Sequence, residues 1–190
     1  MTPKRRAAPT TRGPAGRRVW YSVAMSLDGY IARADGGYDW IPNEPEIDWG
    51  AFMGRFDTVL MGRKTYEVAQ GQGPAGAKGP KTCVFSRTLR QADHPDVTIV
   101  SDDPAGAVNE LRRQPGKDIW LMGGGVLFRH LLDAGAVDMV EIGLVPALLG
   151  GGIPLLPAGG ATVRLSLVET RRYAKSGIMG LTYAVAPPRT

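Results

Sequence analysis

Apolar residues along this chain fall in short runs, each closed by glycine, proline or charge, and the runs follow two different periods. β-Branched and aromatic residues dominate VWYSVAM (19–25), DTVLM (57–61), TCVFS (82–86), VTIVS (97–101), DIWLM (118–122) and VDMVEIGLV (137–145), and each predicts a strand. Two later runs, ATVRLSLVETRRY and IMGLTYAVA, meet at Lys175-Ser176-Gly177, a hairpin signal. The period changes at Trp49, Phe52, Met53 and Phe56, spaced i, i+3, i+4 and i+7, which predicts a helix from about residue 45 to residue 56. A second helix is expected to start near Arg63. Asp103-Pro104 has the N-cap and N1 chemistry of a third, with Val108 and Leu111 on its apolar side. A fourth, VLFRHLLDA, follows Gly123-Gly124-Gly125, while Asp28-Gly29 and Asp35-Gly36-Gly37 are turn signals. Strands alternating with helices predict an α/β domain around a mostly parallel sheet, the terminal hairpin adding an antiparallel edge. Ligands of such sheets sit at the carboxyl ends of the strands.

Length and composition narrow this picture. The chain has 190 residues, 43% of them hydrophobic, enough for one domain with an ample core. No apolar run approaches the roughly 18 residues of a membrane span. The basic start lacks the apolar segment of a secretory signal, so no membrane association and a cytoplasmic location are expected. The net charge of +5 is unevenly placed: residues 1–18 hold six cations and no acid, and without them 17 basic residues face 18 acidic ones. These first residues, rich in Pro, Ala and Gly, read as a disordered basic tail before a domain at 19–186. The near-neutral remainder shows no RNP or zinc motif, so no specific nucleic-acid partner is expected. The single cysteine, Cys83, excludes an intrachain disulfide. Neither His94 nor His130 stands in metal-ligand spacing, and no metal site is expected. Without a G-x-S-x-G elbow, triad hydrolysis ranks low.

Two strand-to-helix junctions have the make-up of a phosphate site. In TVLMGRKTYE, Gly62 permits a tight turn and the following helix start exposes N–H groups that favour an anion. Arg63 and Lys64 add cations and Thr65 a hydroxyl. A cation at a helix start opposes the dipole by a few tenths to about 1 kcal/mol, which an anion lying between them would offset. Ordinary surface placement explains Arg63 and Lys64 about as well. In WLMGGGVLFRHLL, Gly123, Gly124 and Gly125 let backbone approach a ligand without Cβ interference. A close-packed turn is the other reading of those glycines.

Taken together, SLDGYIA, VLMGRKTYE, VFSRTL, DIWLMGGGVLFRHLLDAGAVD and LVPALLGGGIPLLP resemble the dihydrofolate reductase-like superfamily, most of all its branch related to the reductase domain of the riboflavin-biosynthesis deaminase-reductases. The resemblance runs from about Val19 to about Val185. It implies a three-layer dihydrofolate reductase-like fold, with a mostly parallel eight-stranded sheet and a C-terminal antiparallel hairpin, and NADPH as cofactor. By resemblance, Arg63 recognises the 2′-phosphate, Thr65 contacts the pyrophosphate, and Ser86-Arg87 make a second contact to the 2′-phosphate. Gly123, Gly124, Gly125, Val126 and Leu127 match the glycine turn under the pyrophosphate. Ala24 matches the position whose backbone meets the nicotinamide amide, and Asp28 opens the mobile loop that closes over the ring. Riboflavin-type reductases tend to pair, so the resemblance extends to a homodimer.

Reducing a C=N bond is easier when the nitrogen is protonated as hydride arrives. The superfamily's carboxylate comes from the helix before M-G-R, where this chain offers Glu46 and Asp48. Both flank the apolar stripe of that helix, on opposite sides. Asp48 is the first choice because it directly precedes Trp49; Glu46 fits the spacing to Gly62 about as well, and Asp28 is the third acid considered. Both helix acids also suit a first turn favoured by the dipole. Trp49 and Phe52 are candidates to wall a substrate pocket, though an apolar face is more often core. The expected activity is hydride transfer from NADPH to a pterin-, pyrimidine- or related N-heterocyclic small molecule. The alternative is a non-catalytic NADPH-binding or sensor protein.

Overall fold

The structure, a computed structural model, describes residues 16–70 and 79–186. Residues 1–15 of the stretch read as a tail lie outside them. In chain order the elements are β1 (Val19–Ser26), β2 (Tyr30–Ala32), α1 (Trp49–Met53), β3 (Phe56–Gly62), α2 (Arg63–Gln70), β4 (Lys81–Phe85), a 3-10 turn (Gln91–Asp93), β5 (Thr98–Val100), α3 (Pro104–Arg113), β6 (Asp118–Gly123), α4 (Gly125–Asp133), β7 (Met139–Val145), β8 (Ile153–Pro154), β9 (Leu165–Arg172) and β10 (Met179–Val185). Eight strands form one sheet in the order β5-β4-β3-β6-β1-β7-β10-β9. It is parallel from β5 to β7 and antiparallel at β10 and β9. β2 and β8 form a separate two-stranded ribbon.

Period-2 alternation explains the layers. Leu60 of β3 packs with Val108 and Leu111 of α3 and Leu131 of α4 on one face. Its neighbours Val59 and Met61 meet Tyr66 of α2 on the other. Helices therefore cover both faces, giving the expected three layers. On the α4 side Tyr21 stacks on Phe128 at 3.7 Å between ring centroids. The β9–β10 hairpin closes where expected. Gly177 adopts φ +75°, a region a side chain resists, and its N–H donates to the Tyr173 carbonyl. No described helix is long and apolar enough to cross a membrane.

Two sequence expectations change. The helix predicted for 45–56 is only Trp49–Met53. Asp48 caps its start, Gly54 sits at its end, and Phe56 already belongs to β3. The i, i+3, i+4, i+7 pattern had joined residues from a helix and a strand. Arg17 and Arg18, assigned to the tail, are instead part of the fold. Arg17 is 7% exposed. Its guanidinium pairs with Asp57, donates to the Thr58 hydroxyl at 2.6 Å and reaches the Lys117 carbonyl. Arg18 donates its N–H to Asp118 at 3.0 Å.

Candidate active site

The carboxyl ends of β1, β3, β4 and β6 open into one cleft of about 2390 Å³. That exceeds the roughly 300–1,000 Å³ of a drug-sized pocket, leaving room for a dinucleotide beside a second molecule. Every position assigned to the cofactor lines it: Ala24, Gly62, Arg63, Lys64, Thr65, Ser86, Arg87 and the run Gly123–Leu127. The two glycine junctions adjoin, since a Cβ on Gly123 would lie 3.3 Å from Thr65 Oγ1. Gly62 pairs in register with Phe85, so Arg63 and Arg87 leave neighbouring strands at nearly the same level.

Helix capping differs among the described helices. Carboxylates cap α1 and α3, through Asp48 on Ala51 N–H and Asp103 on Gly106 N–H. α4 begins at Gly124 with no side-chain cap, and neither α2 nor α4 carries an acid in its first turn. All four starts border the cleft, and the α4 start, with no side-chain cap, keeps its donors for an anion.

Details refine the individual positions. Ser86 turns its hydroxyl into its own loop, accepting from Thr88 N–H and Leu89 N–H at 3.2 and 3.0 Å, which leaves Arg87 as the outward cation. Gly125 is a packing glycine: a Cβ there would come within 2.7 Å of the Pro154 carbonyl oxygen. Leu127 is buried in the core, whereas Val126 is 76% exposed at the cleft. Arg63 pairs with Glu67 one turn along α2 at 2.6 Å.

Beyond Ala24 the cleft continues over the sheet. Ser22 and Glu141 are in register on β1 and β7, and Thr182 of β10 pairs with Glu141 on the other side. All three line the cleft. Glu141 receives Arg55 through two bonds of 3.1 Å and the Ser22 hydroxyl at 2.8 Å. Arg55 in turn lies over the rings of Trp20, Phe56 and Phe52, at 4.3, 4.8 and 5.2 Å. Trp49 is 57% exposed and meets Phe52 edge-on at 5.7 Å; Phe52 meets Trp120 edge-on at 5.1 Å. Both candidate substrate residues, Trp49 and Phe52, therefore border this half of the cleft.

With this geometry in hand, comparison with known proteins decides the lineage. The family model described as the RibD C-terminal domain matches residues 17–178. The chain belongs to the RibD C-terminal domain family. Uncharacterized protein YyaP of Bacillus subtilis (strain 168) is 32% identical over 179 residues, covering 88% of this chain and 94% of that protein. A putative riboflavin biosynthesis protein from Shewanella sp. PV-4 shares the fold with a TM-score of 0.76 at 26% identity, over 90% of this chain and 99% of that one. A diaminohydroxyphosphoribosylaminopyrimidine deaminase/5-amino-6-(5-phosphoribosylamino)uracil reductase from Thermotoga maritima shares it at a TM-score of 0.67 and 16% identity, over 90% of this chain and 57% of that one.

Within this RibD C-terminal domain the three sequence-nominated acids do not converge. Asp48 lines the cleft but spends an oxygen on its own helix cap, accepting Ala51 N–H at 2.8 Å. Glu46 lies before α1 and outside the cleft lining; its carbonyl accepts Arg171 at 3.2 Å. Asp28 is also outside that lining. Its carboxylate takes the Ser26 hydroxyl at 2.6 Å and the N–H groups of Leu149 and Gly150, pinning the turn after β1 to the loop after β7. The Ser26 bond, followed by those from Gly150 and Leu149, holds Asp28 below the usual carboxylate range.

A lowered carboxylate pKa gives stability that is present above the unfolded value of about 3.9 and lost as pH falls through the folded one. The Asp28 clamp is therefore expected to persist from neutral pH down to about 4 and to open only in stronger acid. Hydrogen exchange at Leu149 and Gly150 checks this, and opening between pH 5 and 7 would contradict it.

Sequence reasoning missed Glu44, Arg55 and Glu141. Glu44 is buried, and its carboxylate accepts Glu46 N–H at 2.9 Å and Ser176 N–H at 3.2 Å, tying the segment before α1 to the β9–β10 turn. The Ser176 side chain first, then the Glu46 N–H, holds its pKa down. Glu141 had a signal: it is the one acid inside the apolar run VDMVEIGLV once the run is under way.

Proposed function

We propose that this protein is an NADPH-dependent reductase that transfers a hydride to a planar N-heterocycle of the pterin or pyrimidine kind. The observation that carries the reading is the pair of adjoining helix starts, without acids in their first turns, that open into one cleft also lined by Arg63 and Arg87. Membership of the RibD C-terminal domain family supports it, as does the reductase named for the Thermotoga maritima neighbour.

In this reading the first-turn N–H groups of α2 and α4, with the Thr65 hydroxyl, hold the pyrophosphate. Arg63 and Arg87 take the 2′-phosphate, with Lys64 adding positive potential at the mouth. The backbone of Ala24 orients the carboxamide end, placing the ring beside the half of the cleft walled by Trp49 and Phe52. When bound, the cofactor supplies the hydride. Of the three nominated acids only Asp48 lines the cleft, and we retain it as the group that delivers the proton, from Oδ2, while Oδ1 keeps the Ala51 N–H. Arg63 must turn from Glu67. That exposed pair is worth about 0.3–0.5 kcal/mol, little against a charged phosphate contact.

Turnover is the test. NADPH oxidation followed across dihydropterins and aminopyrimidines should show at least one substrate whose reduction fails with NADH. Saturable NADPH binding with no oxidation across that panel would instead favour the non-catalytic sensor.

We also place a homodimer contact on β9, an edge strand on which Leu165 and Leu167 are exposed. Light scattering should give twice the chain mass, and Leu167→Lys should reduce it to one. A monomeric wild type would remove the proposal.

A further inference from the structure

Glu141 stands where no packing demand calls for an acid. Its strand alternates, with Val140 and Ile142 facing the core and Glu141 and Gly143 facing the cleft. Its carboxylate is about a quarter exposed, and Arg55 grips both oxygens. The bonds around it decide what it shows to a ligand. Ser22 gives its only hydroxyl proton to Oε2, so the Ser22 oxygen presents lone pairs alone. A carboxylate has about four acceptor positions; Arg55 and Ser22 fill three, leaving one on Oε1. Glu141 and Ser22 therefore present acceptors, while the Thr182 hydroxyl at the end of the row can donate or accept.

The adjoining row leaves it reachable. Ala24, Gly143 and Gly180 are in register across β1, β7 and β10; the Tyr173 ring borders the strip at Gly180 and Ile178 borders it at Gly143, which leaves the Ala24 methyl as the one side chain of the row itself beside Glu141. A Cβ on Gly143 would meet nothing nearer than 3.9 Å, so packing within the protein does not require glycine there.

We infer that Glu141 is the specificity-determining residue of this cleft, and that the substrate is a planar heterocycle whose amino or ring N–H donors face it. Arg55 is its positioning residue, tying the end of α1 to the sheet and fixing the plane of the carboxylate. The inference rests on the reductase reading, because it assigns the sheet half of the cleft to the substrate and the helix-start half to the cofactor. An oxo or alkoxy edge would set lone pair against lone pair at the open Oε1 position and leave that acceptor unmatched, the arrangement by which polar sites reject an analogue. A ring resting on the Gly143 strip with its amino edge on Glu141 meets both demands.

The test uses protein saturated with NADPH and two probes of the same ring, 2,4-diaminopyrimidine and 2,4-dimethoxypyrimidine, measured by calorimetry. Wild type should prefer the diamino probe at least tenfold. Glu141→Gln, which replaces an acceptor oxygen by a donor, should cut that preference to less than threefold while NADPH affinity stays within twofold. Gly143→Ala should weaken both probes at least tenfold with an unchanged melting temperature. A merely structural Glu141–Arg55 pair would weaken both probes alike in Glu141→Gln and keep their ratio, and that result overturns the inference. So does a wild type that binds NADPH and neither pyrimidine, which leaves the cofactor reading intact. Failure of NADPH itself to bind overturns both.

Discussion

Arg17→Ala should unfold this domain at a temperature roughly 10 °C lower than wild type. Arg17 is almost fully buried, and its guanidinium serves Asp57, the Thr58 hydroxyl and the Lys117 carbonyl at the amino ends of β3 and β6. Removing one member of a buried pair costs about 3–5 kcal/mol. Asp57 is more than a third exposed and regains water, so the lower end, about 3 kcal/mol, applies here. For a domain of this size each kcal/mol moves the melting temperature by about 2–4 °C. Arg17→Lys should recover less than half, because an ammonium cannot span three acceptors as a planar fork does. Two truncations sharpen the point: a chain starting at Gly16 keeps the network, and one starting at Val19 loses it. Thermal denaturation followed by circular dichroism should separate them by at least that interval, since the shorter chain also loses the Arg18 bonds to Asp118 and Ile119, and equal melting temperatures would show that Arg17 anchors nothing.

The second large effect concerns the cofactor. Arg63→Ala is expected to weaken NADPH by about 1.5–3 kcal/mol, the range for a hydrogen bond to a charged group, or roughly 10- to 150-fold. NADH, which lacks the 2′-phosphate, should change less than twofold. Competition from Glu67 makes a finer point. Glu67→Gln frees Arg63 from its helix partner and should tighten NADPH by up to about 0.5 kcal/mol. Calorimetric titration of each variant with both cofactors measures all of this. Equal losses for NADPH and NADH in Arg63→Ala would mean that Arg63 supports the turn rather than reading the phosphate.

What could be read from the chain alone followed sequence distance. The eight strands of the sheet and the Lys175-Ser176-Gly177 hairpin were legible because alternation and turn residues are local signals. The Gly62–Thr65 and Gly123–Gly125 junctions were legible for the same reason, each lying within a few residues of a strand end. Glu141 and Arg55 pair across 86 positions, and Arg17 meets Asp57 across 40. Nothing in either neighbourhood announces the partner, so the first pair was passed over and Arg17 was counted with the basic tail. The α1 error had another cause. Phe56 continues the helical period by coincidence, and Asp48, the proton donor proposed above, is also the cap that begins the helix.

The reductase reading stands or falls on the cofactor. Trp49 and Trp120 line the cleft, so ligand binding there should change tryptophan fluorescence. The most direct measurement is a titration of the wild-type protein with NADPH and, separately, NADH, following that signal. Saturable NADPH binding at least tenfold tighter than NADH is the predicted result. No saturable binding of either, or equal binding of both, would contradict the assignment of the two helix starts and of Arg63 to NADPH.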